Sequence, residues 1–317
     1  MADERCVMSM WVTDGVSHRL VTMPYCVKFT FDKDLYRCYT RAMGTFYSPA
    51  PADFTADMVI KIFLRINGVV RHVGIADSVT LSPCGSGYTL SFSSRGFTLL
   101  LAQNEPYPRI NQNVDLKSLI ERNLDISDIT CENDTPVVNY IYVKERSTIW
   151  EAVAAYAIKA MGHYPYIRSH NKVSVSYDVG NTVSLEGVRL TAQSSALSTA
   201  DLLSDVHMMD IDDTYSYEYH DSEAGKYGIV RSRYYPLDNQ WLYSPVRGLQ
   251  AKTDYSRRGQ KVRSLTYQGC LNEDLMDTVT NCGAMTGMRV NAVRVTGDRR
   301  GMFTTVKAYI DGYGQIS

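Results

Sequence analysis

The chain has 317 residues and a formal net charge of −1 at pH 7, with 33 basic and 34 acidic side chains. Binding to nucleic acid or to anionic membranes requires concentrated positive charge, so this balance argues against both classes of protein. Hydrophobic residues at 44% and charged residues at 21% are typical of a soluble globular protein. A chain of this length can bury about 75% of its unfolded surface, which is enough for a substantial core.

No run of about 18 uncharged apolar residues occurs, which predicts no membrane insertion. Residues 1–15 mix charges with apolar residues, which predicts no secretion signal. The seven cysteines are widely spaced and form no Cys-x-x-Cys pair, so they predict reduced thiols in a cytoplasm rather than a disulfide framework or a zinc site. The 23 tyrosines against eight phenylalanines suit half-buried strands and protein contacts.

Residues 1–102 are predicted to form an N-terminal β-barrel-like domain. Short runs of alternating apolar and polar residues, such as VIKIFLRI at 59–66, fill this region and are separated by turns. Asn67 and Gly68 follow this run directly. Because both residues tolerate the positive φ that a type I′ turn requires, they predict a hairpin.

Residues 103–178 are predicted to form a small α/β domain. Its first helix has Asp115 as the N-cap, and its apolar positions recur at three-to-four-residue spacing at Leu116, Leu119, Ile120 and Leu124. Residues 125–134 are predicted to return the chain to an extended edge, and residues 135–143 are interpreted as a linker.

A second helix is predicted to begin at Thr148, three residues before Glu151, which is the spacing of a capping box. Gly162 is placed to end this helix, and Trp150 is predicted to be buried in the core of the small domain. Two strands, at 164–167 and 172–177, follow on either side of a turn.

Residues 179–317 are predicted to form a C-terminal β-rich, barrel-like domain. Strands are expected at 181–195 and 214–238, a polar basic stretch at 252–264, and short helices at 194–213 and 272–287. A final hairpin over 290–310, with Gly297 at its turn, is expected to close a sheet or barrel. The predicted fold class is α+β, mainly β, with two β-barrel-like domains and a small α/β domain between or beside them.

We predict no catalytic, cofactor-binding or metal-binding residues. The CGSGY segment at 84–88 lacks the Gly-x-Ser-x-Gly order of a nucleophile loop and is interpreted as a β-turn. The GKYG segment at 225–228 has no upstream glycine at P-loop spacing. The basic and aromatic segment YPYIRSHNK at 164–172 has the residue types of a surface that binds RNA or sugar, but the nearly neutral net charge of the chain argues against this function. His163 and His170 are interpreted as turn residues.

The most chemically suggestive run lies at 209–223 and gathers oxygen ligands with an imidazole: Asp210, Asp212, Asp213, Glu218, His220, Asp221 and Glu223. It lacks the glycine and the spacing of an EF-hand loop. Tyr215, Tyr217 and Tyr219 alternate with polar residues, as the two faces of a strand do. We therefore interpret this run as a solvated strand rather than a metal site.

The order of these parts resembles the baseplate or tail-tip hub proteins of tailed phages, a group that includes the Mu-like hub and the late control protein D relatives. The resemblance is carried by the strand end at 94–96, the helix DLKSLIERNL at 115–124, the unit ERSTIWEAVAAYAIKAMGHYPYI at 145–167, and the final hairpin. It covers roughly residues 60–310, apart from 215–263, and it lies in pattern and order rather than in catalytic residues.

This resemblance implies a non-enzymatic structural protein that forms a homotrimeric ring and adapts a hexameric tail tube to a trimeric central spike. The implied partners are the tail tube protein, the central spike protein and other baseplate proteins, with no cofactor, no membrane insertion and no specific nucleic acid. The implied location is a virion or a phage-tail-like particle assembled in the bacterial cytoplasm.

Two alternatives stay open from the sequence. The first is a tail-associated peptidoglycan hydrolase, for which the acidic residues between Asp210 and Glu223 are the candidates. The second is a cell-wall carbohydrate-binding module in which the helices and strands of the α/β unit form a shallow groove.

Overall fold

The computed structural model describes residues 5–310, which are mainly β-structure with few helices. The predicted α+β, mainly β class is confirmed. Residues 1–4 and 311–317, the outer ends of the first and third predicted domains, lie outside the described residues.

The first part of the chain is built from seven strands. They are β1 (Cys6–Thr13), β2 (His18–Met23), β3 (Tyr25–Asp34), β4 (Arg41–Ser48), β5 (Val59–Ile66), β6 (Val69–Cys84) and β7 (Gly87–Gly96). Short 3₁₀ helices at Ala56–Met58 and Phe97–Leu99 precede β5 and follow β7.

The middle part alternates helices and strands. Its elements are α1 (Leu100–Gln103), β8 (Arg109–Val114), α2 (Leu116–Glu121), β9 (Thr130–Cys131), β10 (Val138–Val143), α3 (Ile149–Met161), β11 (Tyr166–Arg168) and β12 (Lys172–Ser174). A 3₁₀ helix at Tyr177–Val179 follows.

The last part contains strands with two inserted helices. Its elements are β13 (Thr182–Ser184), β14 (Leu190–Leu197), β15 (Asp205–Met208), β16 (Tyr217–His220), α4 (Ser222–Lys226), β17 (Ser232–Tyr235), α5 (Pro245–Ser256), β18 (Lys261–Gln268), β19 (Thr278–Thr280), β20 (Ala292–Asp298) and β21 (Gly301–Tyr309). A 3₁₀ helix lies at Gly283–Met285.

One large antiparallel sheet of 11 strands dominates the described residues, in the order β14-β18-β21-β20-β3-β4-β7-β6-β5-β1-β2. The pairing of β3 with β20 joins strands from the beginning of the chain to strands from its end. Four smaller sheets accompany it: β10-β8, β11-β12-β9, β13-β19 and β16-β15-β17. The division into domains at residues 102 and 178 stays a prediction.

Three clusters of buried apolar side chains form the interior. The first lies against the large sheet and includes Phe31 and Val295, from opposite ends of the chain. The second surrounds α3 and includes Trp150 and Tyr156. The third packs α5 against the β16-β15-β17 sheet and includes Trp241.

The local backbone signals in the sequence are confirmed. Asn67 and Gly68 have φ values of 51° and 81° and connect β5 to β6, as a type I′ turn requires. Asp115 accepts a hydrogen bond from the amide of Ser118 and caps α2. Thr148 and Glu151 form the predicted capping box of α3, and Gly162 ends α3 in the left-handed conformation.

The predicted turn at Gly297 is wrong. Gly297 lies within β20 and pairs with Met302, and the chain reverses between Asp298 and Gly301. A Cβ atom at Gly297 would come within 2.2 Å of the Phe29 ring of the neighbouring strand. The glycine is therefore required by the close approach of Phe29 and not by a turn.

The helices predicted at 194–213 and 272–287 are also wrong. The first segment contains the second half of β14 and all of β15, because pairing with β18, β16 and β17 outweighs local helix propensity. The second contains β19 and one 3₁₀ turn, and its backbone reaches positive φ at Asn281, Gly283 and Gly287. Conversely, helix α5 covers residues for which no helix was predicted, and the predicted linker 135–143 contains β10.

A cluster of buried and half-buried charges connects the three parts of the chain, and we call it the junction cluster: Lys33, Arg71, Arg168, Asp274 and Asp277. The ammonium of Lys33 pairs with Asp274 and donates to the carbonyl oxygen of Ser169 at 3.0 Å. Arg168 pairs with Asp277 at 3.0 Å and donates to the carbonyl oxygen of Leu275 at 2.9 Å. One loop, between β18 and β19, is therefore held by side chains from β3 and β11 at once.

Arg71 of β6 binds the same loop by donating to the carbonyl oxygen of Glu273. The Glu273 side chain is fully buried, and neither of its carboxyl oxygens has a hydrogen-bond partner within the described part of the chain. Burial raises the pKa of Glu273 to about 7, although Arg71 acts in the opposite direction. The neutral acid is therefore the form that the fold prefers.

Replacement of Trp150 by Ala is expected to destabilise the fold by about 3–5 kcal/mol, because it leaves a cavity in the core around α3. Urea unfolding followed by circular dichroism measures the change. Tyr107→Ala, at a ring that is 78% exposed, is the matched control and should stay within about 0.5 kcal/mol of the parent. Equal effects of the two changes would contradict the placement of Trp150.

Glu273→Gln is expected to stabilise the protein more at pH 8 than at pH 5. The pKa of Glu273 in the folded state, about 7, lies above its ordinary value of 4.5, so stability falls as pH rises through this window and the buried carboxyl ionises. Gln cannot ionise, and the gain should approach the order of 3 kcal/mol at pH 8. Unfolding free energies at several pH values measure this, with the exposed Glu145→Gln as control. If the difference in unfolding free energy between Glu273→Gln and the parent stays constant from pH 5 to pH 8, the raised pKa of Glu273 is refuted.

Candidate functional site

Within residues 5–310 the strands of the large sheet do not pair into a closed barrel, and the first open edge of the sheet is strand β14. All eight residues of β14 are exposed, and its sequence, LTAQSSAL, contains no charge. A long, uncharged edge strand is a template for pairing with another chain, and monomeric proteins usually protect such edges with charges or Pro. Leu190 and Leu197 add apolar surface at its two ends.

The free hydrogen-bonding groups of β14 can be assigned from its pairing with β18. The amide of Ser198 donates to the carbonyl oxygen of Gln260 at 2.7 Å, so it points towards β18. Amides of successive residues in a strand point to opposite edges. The amides of Ser195 and Leu197 therefore point to the open edge, where no other strand of the described residues pairs with them.

The second open edge, at the other end of the sheet, is strand β2. It is exposed over most of its length, and Leu20 is 57% exposed. Leu20 lies opposite Trp11 of β1, and Trp11 lies opposite Lys61 of β5. The two edges thus differ in character, since one is uncharged and the other combines apolar and basic side chains.

The outer surface beside β2 is ordered by Lys61. Its ammonium is 2.8 Å from both carboxyl oxygens of Asp128 and lies over the rings of Trp11 and Phe97, at 5.9 and 4.9 Å from their centroids. The Trp11 ring is nevertheless partly exposed. Trp is enriched among the residues that dominate binding at protein interfaces.

The acidic run at 209–223 does not converge on one point. Asp210 accepts hydrogen bonds from the amides of Asp212 and Thr214 at 2.9 and 3.0 Å, and hydrogen bonds lower the pKa of this exposed carboxyl to about 2. His220 pairs with Asp205 at 2.8 Å, and Asp221 is bound to Arg257.

The other acidic side chains of the run either pair with a neighbouring base or point to solvent. Glu223 pairs with Lys226 one helical turn away. Tyr217 and Tyr219 are half-buried while Glu218 and His220 are exposed, which is the alternation predicted for a solvated strand, and Tyr215 precedes this strand. Within residues 5–310, no three side chains of His, Cys, Asp or Glu are grouped as they would be to hold a metal ion.

Of the remaining segments, YPYIRSHNK contains β11 and GKYG begins at the end of α4. Residues 85–86 connect β6 to β7, as predicted for the CGSGY segment. His170 lies in the turn between β11 and β12. His163 follows α3 and stacks on Tyr177 with ring centroids 4.0 Å apart, and burial lowers its pKa. None of the helices in residues 5–310 is both long and apolar enough to cross a membrane.

Several of the 23 tyrosines pack against one another inside the protein. Tyr36 lies at the centre of a cluster, with its ring centroid 5.7 Å from those of Tyr164 and Tyr255 and 5.8 Å from that of Tyr309. The hydroxyl of Tyr309 donates to Asp34. These rings bring α3, α5, β21 and the end of β3 together, so they stabilise the junction between parts of the chain.

The comparisons with known proteins find no matching family model and no matching curated protein. Solved structures do match. A tail protein from Neisseria meningitidis MC58 shares the fold with a TM-score of 0.68 at 14% identity, covering 98% of both chains. The 43 kDa tail protein of prophage MuSo2 from Shewanella oneidensis matches with a TM-score of 0.69 at 14% identity, over 96% of this chain and 98% of that one.

A component of the type VI secretion system of E. coli, described as structurally similar to bacteriophage T4 tail proteins, matches with a TM-score of 0.51 at 10% identity. This match covers 92% of the present chain and 76% of that protein. The chain therefore has the fold of phage tail proteins and their secretion-system relatives. The resemblance drawn from the order of sequence motifs is confirmed at the level of the fold.

Proposed function

We propose that this protein is a structural hub of a phage or phage-like tail baseplate. In this role three copies form a ring that adapts a hexameric tail tube to a trimeric central spike. The observation that carries the proposal is the pair of unlike open edges at the two ends of the large sheet, β14 and β2. The fold shared with the tail proteins of Neisseria and of prophage MuSo2 supports it.

The edges provide a physical route to a closed ring. If β14 of one copy pairs with β2 of the next, each contact uses two different surfaces, and a contact of this kind closes into a ring when its rotation divides a full turn. Closure would satisfy the outward amides of β14 in every copy and leave neither edge of the large sheet exposed. Strand β14 carries no charge, so it would not repel the exposed basic residues of β2, His18 and Arg19.

A peptidoglycan hydrolase is the less supported candidate. General acid-base catalysis needs carboxylates that face a common substrate, whereas the carboxylates of Asp210, Asp221 and Glu223 are engaged by separate partners. The proposed location is a virion or a tail-like particle, assembled in the bacterial cytoplasm. The proposed partners are the tail tube protein, the central spike protein and neighbouring baseplate proteins.

Native mass spectrometry of the purified protein is expected to show a homotrimer, since the ring is the form that satisfies both open edges. Zymography on peptidoglycan with the same preparation is expected to give no clearing. Two results together would contradict the proposal: a purified protein that stays monomeric at micromolar concentration, and normal assembly of particles that lack the protein. Clearing that depends on Asp210 or Glu223 would favour the hydrolase.

Ser195→Pro is expected to weaken the trimer while leaving the monomer folded. Proline removes the amide that points to the open edge, and a strand tolerates Pro where its amide faces away from its own sheet. Ser195→Thr retains the amide and is the matched control. Sedimentation velocity measures the trimer, and circular dichroism measures the fold. Trimers of equal stability in both variants would show that β14 is not the contact.

A further inference from the structure

A further open strand edge lies outside the large sheet, in the small sheet β16-β15-β17, where β17 is a terminal strand. The carbonyl oxygens of Arg231 and Tyr235 accept hydrogen bonds from amides of the β15 segment, so these residues point inward. Because the direction alternates along a strand, the main-chain groups of Ser232 and Tyr234 point to the free edge. Within residues 5–310, no strand pairs with the outward amides of Ser232 and Tyr234, and the Ser232 carbonyl oxygen accepts only a 3.3 Å contact from the Arg233 guanidinium.

Beside this strand lies a cavity of about 270 Å³, lined by residues that include four bases and one acid: Arg231, Arg233, Lys252, Arg258 and Asp201. The four positive charges and one negative charge leave an excess of three positive charges in a protein whose net charge is −1. Tyr235 and Tyr255 add two aromatic rings to the lining.

The positive charges in this cavity are incompletely neutralised. Within residues 5–310, the guanidinium of Arg233 makes one hydrogen bond, which it donates to the carbonyl oxygen of its neighbour Ser232 at 3.3 Å. The ammonium of Lys252 is 3.9 Å from Asp238, which is bound more closely by Lys144 at 2.7 Å. Burial lowers the pKa of Lys252 in spite of Asp238, as expected for a cation whose counter-charge is shared.

We propose that the outer edge of β17 and the cationic cavity beside it together bind an extended, acidic segment of a partner polypeptide, which adds to the small sheet as a fourth strand. Main-chain hydrogen bonds to Ser232 and Tyr234 hold the segment, and its acidic side chains pair with Arg233 and Lys252. This is strand addition at a sheet edge, in which the main chain provides affinity and the side-chain pockets provide specificity.

The geometry favours a polypeptide over a phosphate-bearing polymer. Residues Arg231, Arg233 and Tyr235 alternate along β17 and share the face that lines the cavity. An extended peptide with acidic residues at every second position repeats with the same period, so its carboxylates meet this face in register. A free anion could fill the cavity but would leave the outward amides of β17 unpaired.

Binding is tested with a labelled peptide that alternates Asp and Val, followed by fluorescence anisotropy. A peptide with Lys in place of Asp should not bind, because it meets like charges. A peptide with Pro in place of Val should bind much more weakly, because it lacks the amides needed for strand pairing. Hydrogen exchange at the amides of Ser232 and Tyr234 should slow when the Asp-Val peptide is bound.

Arg233→Gln is expected to raise the Kd of the Asp-Val peptide about tenfold or more, as loss of one hydrogen bond to a charged group does. Arg299→Gln, at an exposed position in the turn between β20 and β21, removes the same charge and should leave Kd unchanged. Equal effects of the two variants, or equal binding of the Asp and Lys peptides, would overturn the proposal.

Two further outcomes would also overturn it. If the Pro peptide binds as well as the Asp-Val peptide, no strand is added. If inorganic phosphate binds at matched ionic strength and the Asp-Val peptide does not, the cavity is a site for small anions. This inference goes beyond the hub proposal and is independent of it, since trimer formation is measured separately on the same preparations.

Discussion

The ion pair between Lys33 and Asp274 is the contact on which the arrangement of the molecule depends. Lys33 is 2% exposed, and burial lowers the pKa of its ammonium to about 8 although Asp274 acts in the opposite direction. Burial alone would raise the pKa of Asp274, but Lys33 and Arg71 hold it below its ordinary value. Removal of one partner from such a pair leaves an uncompensated buried charge, at a cost of about 3–5 kcal/mol. The ion pair therefore holds β3 against the loop that follows β18.

What the sequence predicted well was local. The Asn67-Gly68 turn and the Thr148–Glu151 capping box depend on the backbone preferences of residues within a few positions of one another. Pairing decided the other regions. Residues 194–197, within the predicted helix, became part of β14 because β18 was available to pair with them, and Gly297 was placed by the ring of Phe29, which lies in a distant part of the chain. Neither contact leaves a signal in the neighbouring residues.

The candidate sites follow the same division. The alternation of tyrosines and polar residues at 215–220 indicated a solvated strand, and half-buried Tyr217 and Tyr219 alternate with exposed neighbours in β16. The edge β14 and the cavity beside β17 could not be predicted, because an edge is defined by the absence of a further strand, which only the whole topology reveals. The one available sign was the uncharged run LTAQSSAL, which resembles many buried segments. Lys33 gave no sign of its burial, because it lies between Asp32 and Asp34 at the end of β3.

The pairing of β3 with β20 has a consequence for synthesis. Strand β3 ends at residue 34, and β20 begins at residue 292, so the ribosome must add most of the chain before the two can meet. At ~5–20 residues per second this interval lasts on the order of tens of seconds. During that time one side of β3 is an open edge, available to other nascent chains on the same message. Translation that stops before residue 292 would thus release a fragment in which this edge of β3 stays unpaired and prone to aggregation.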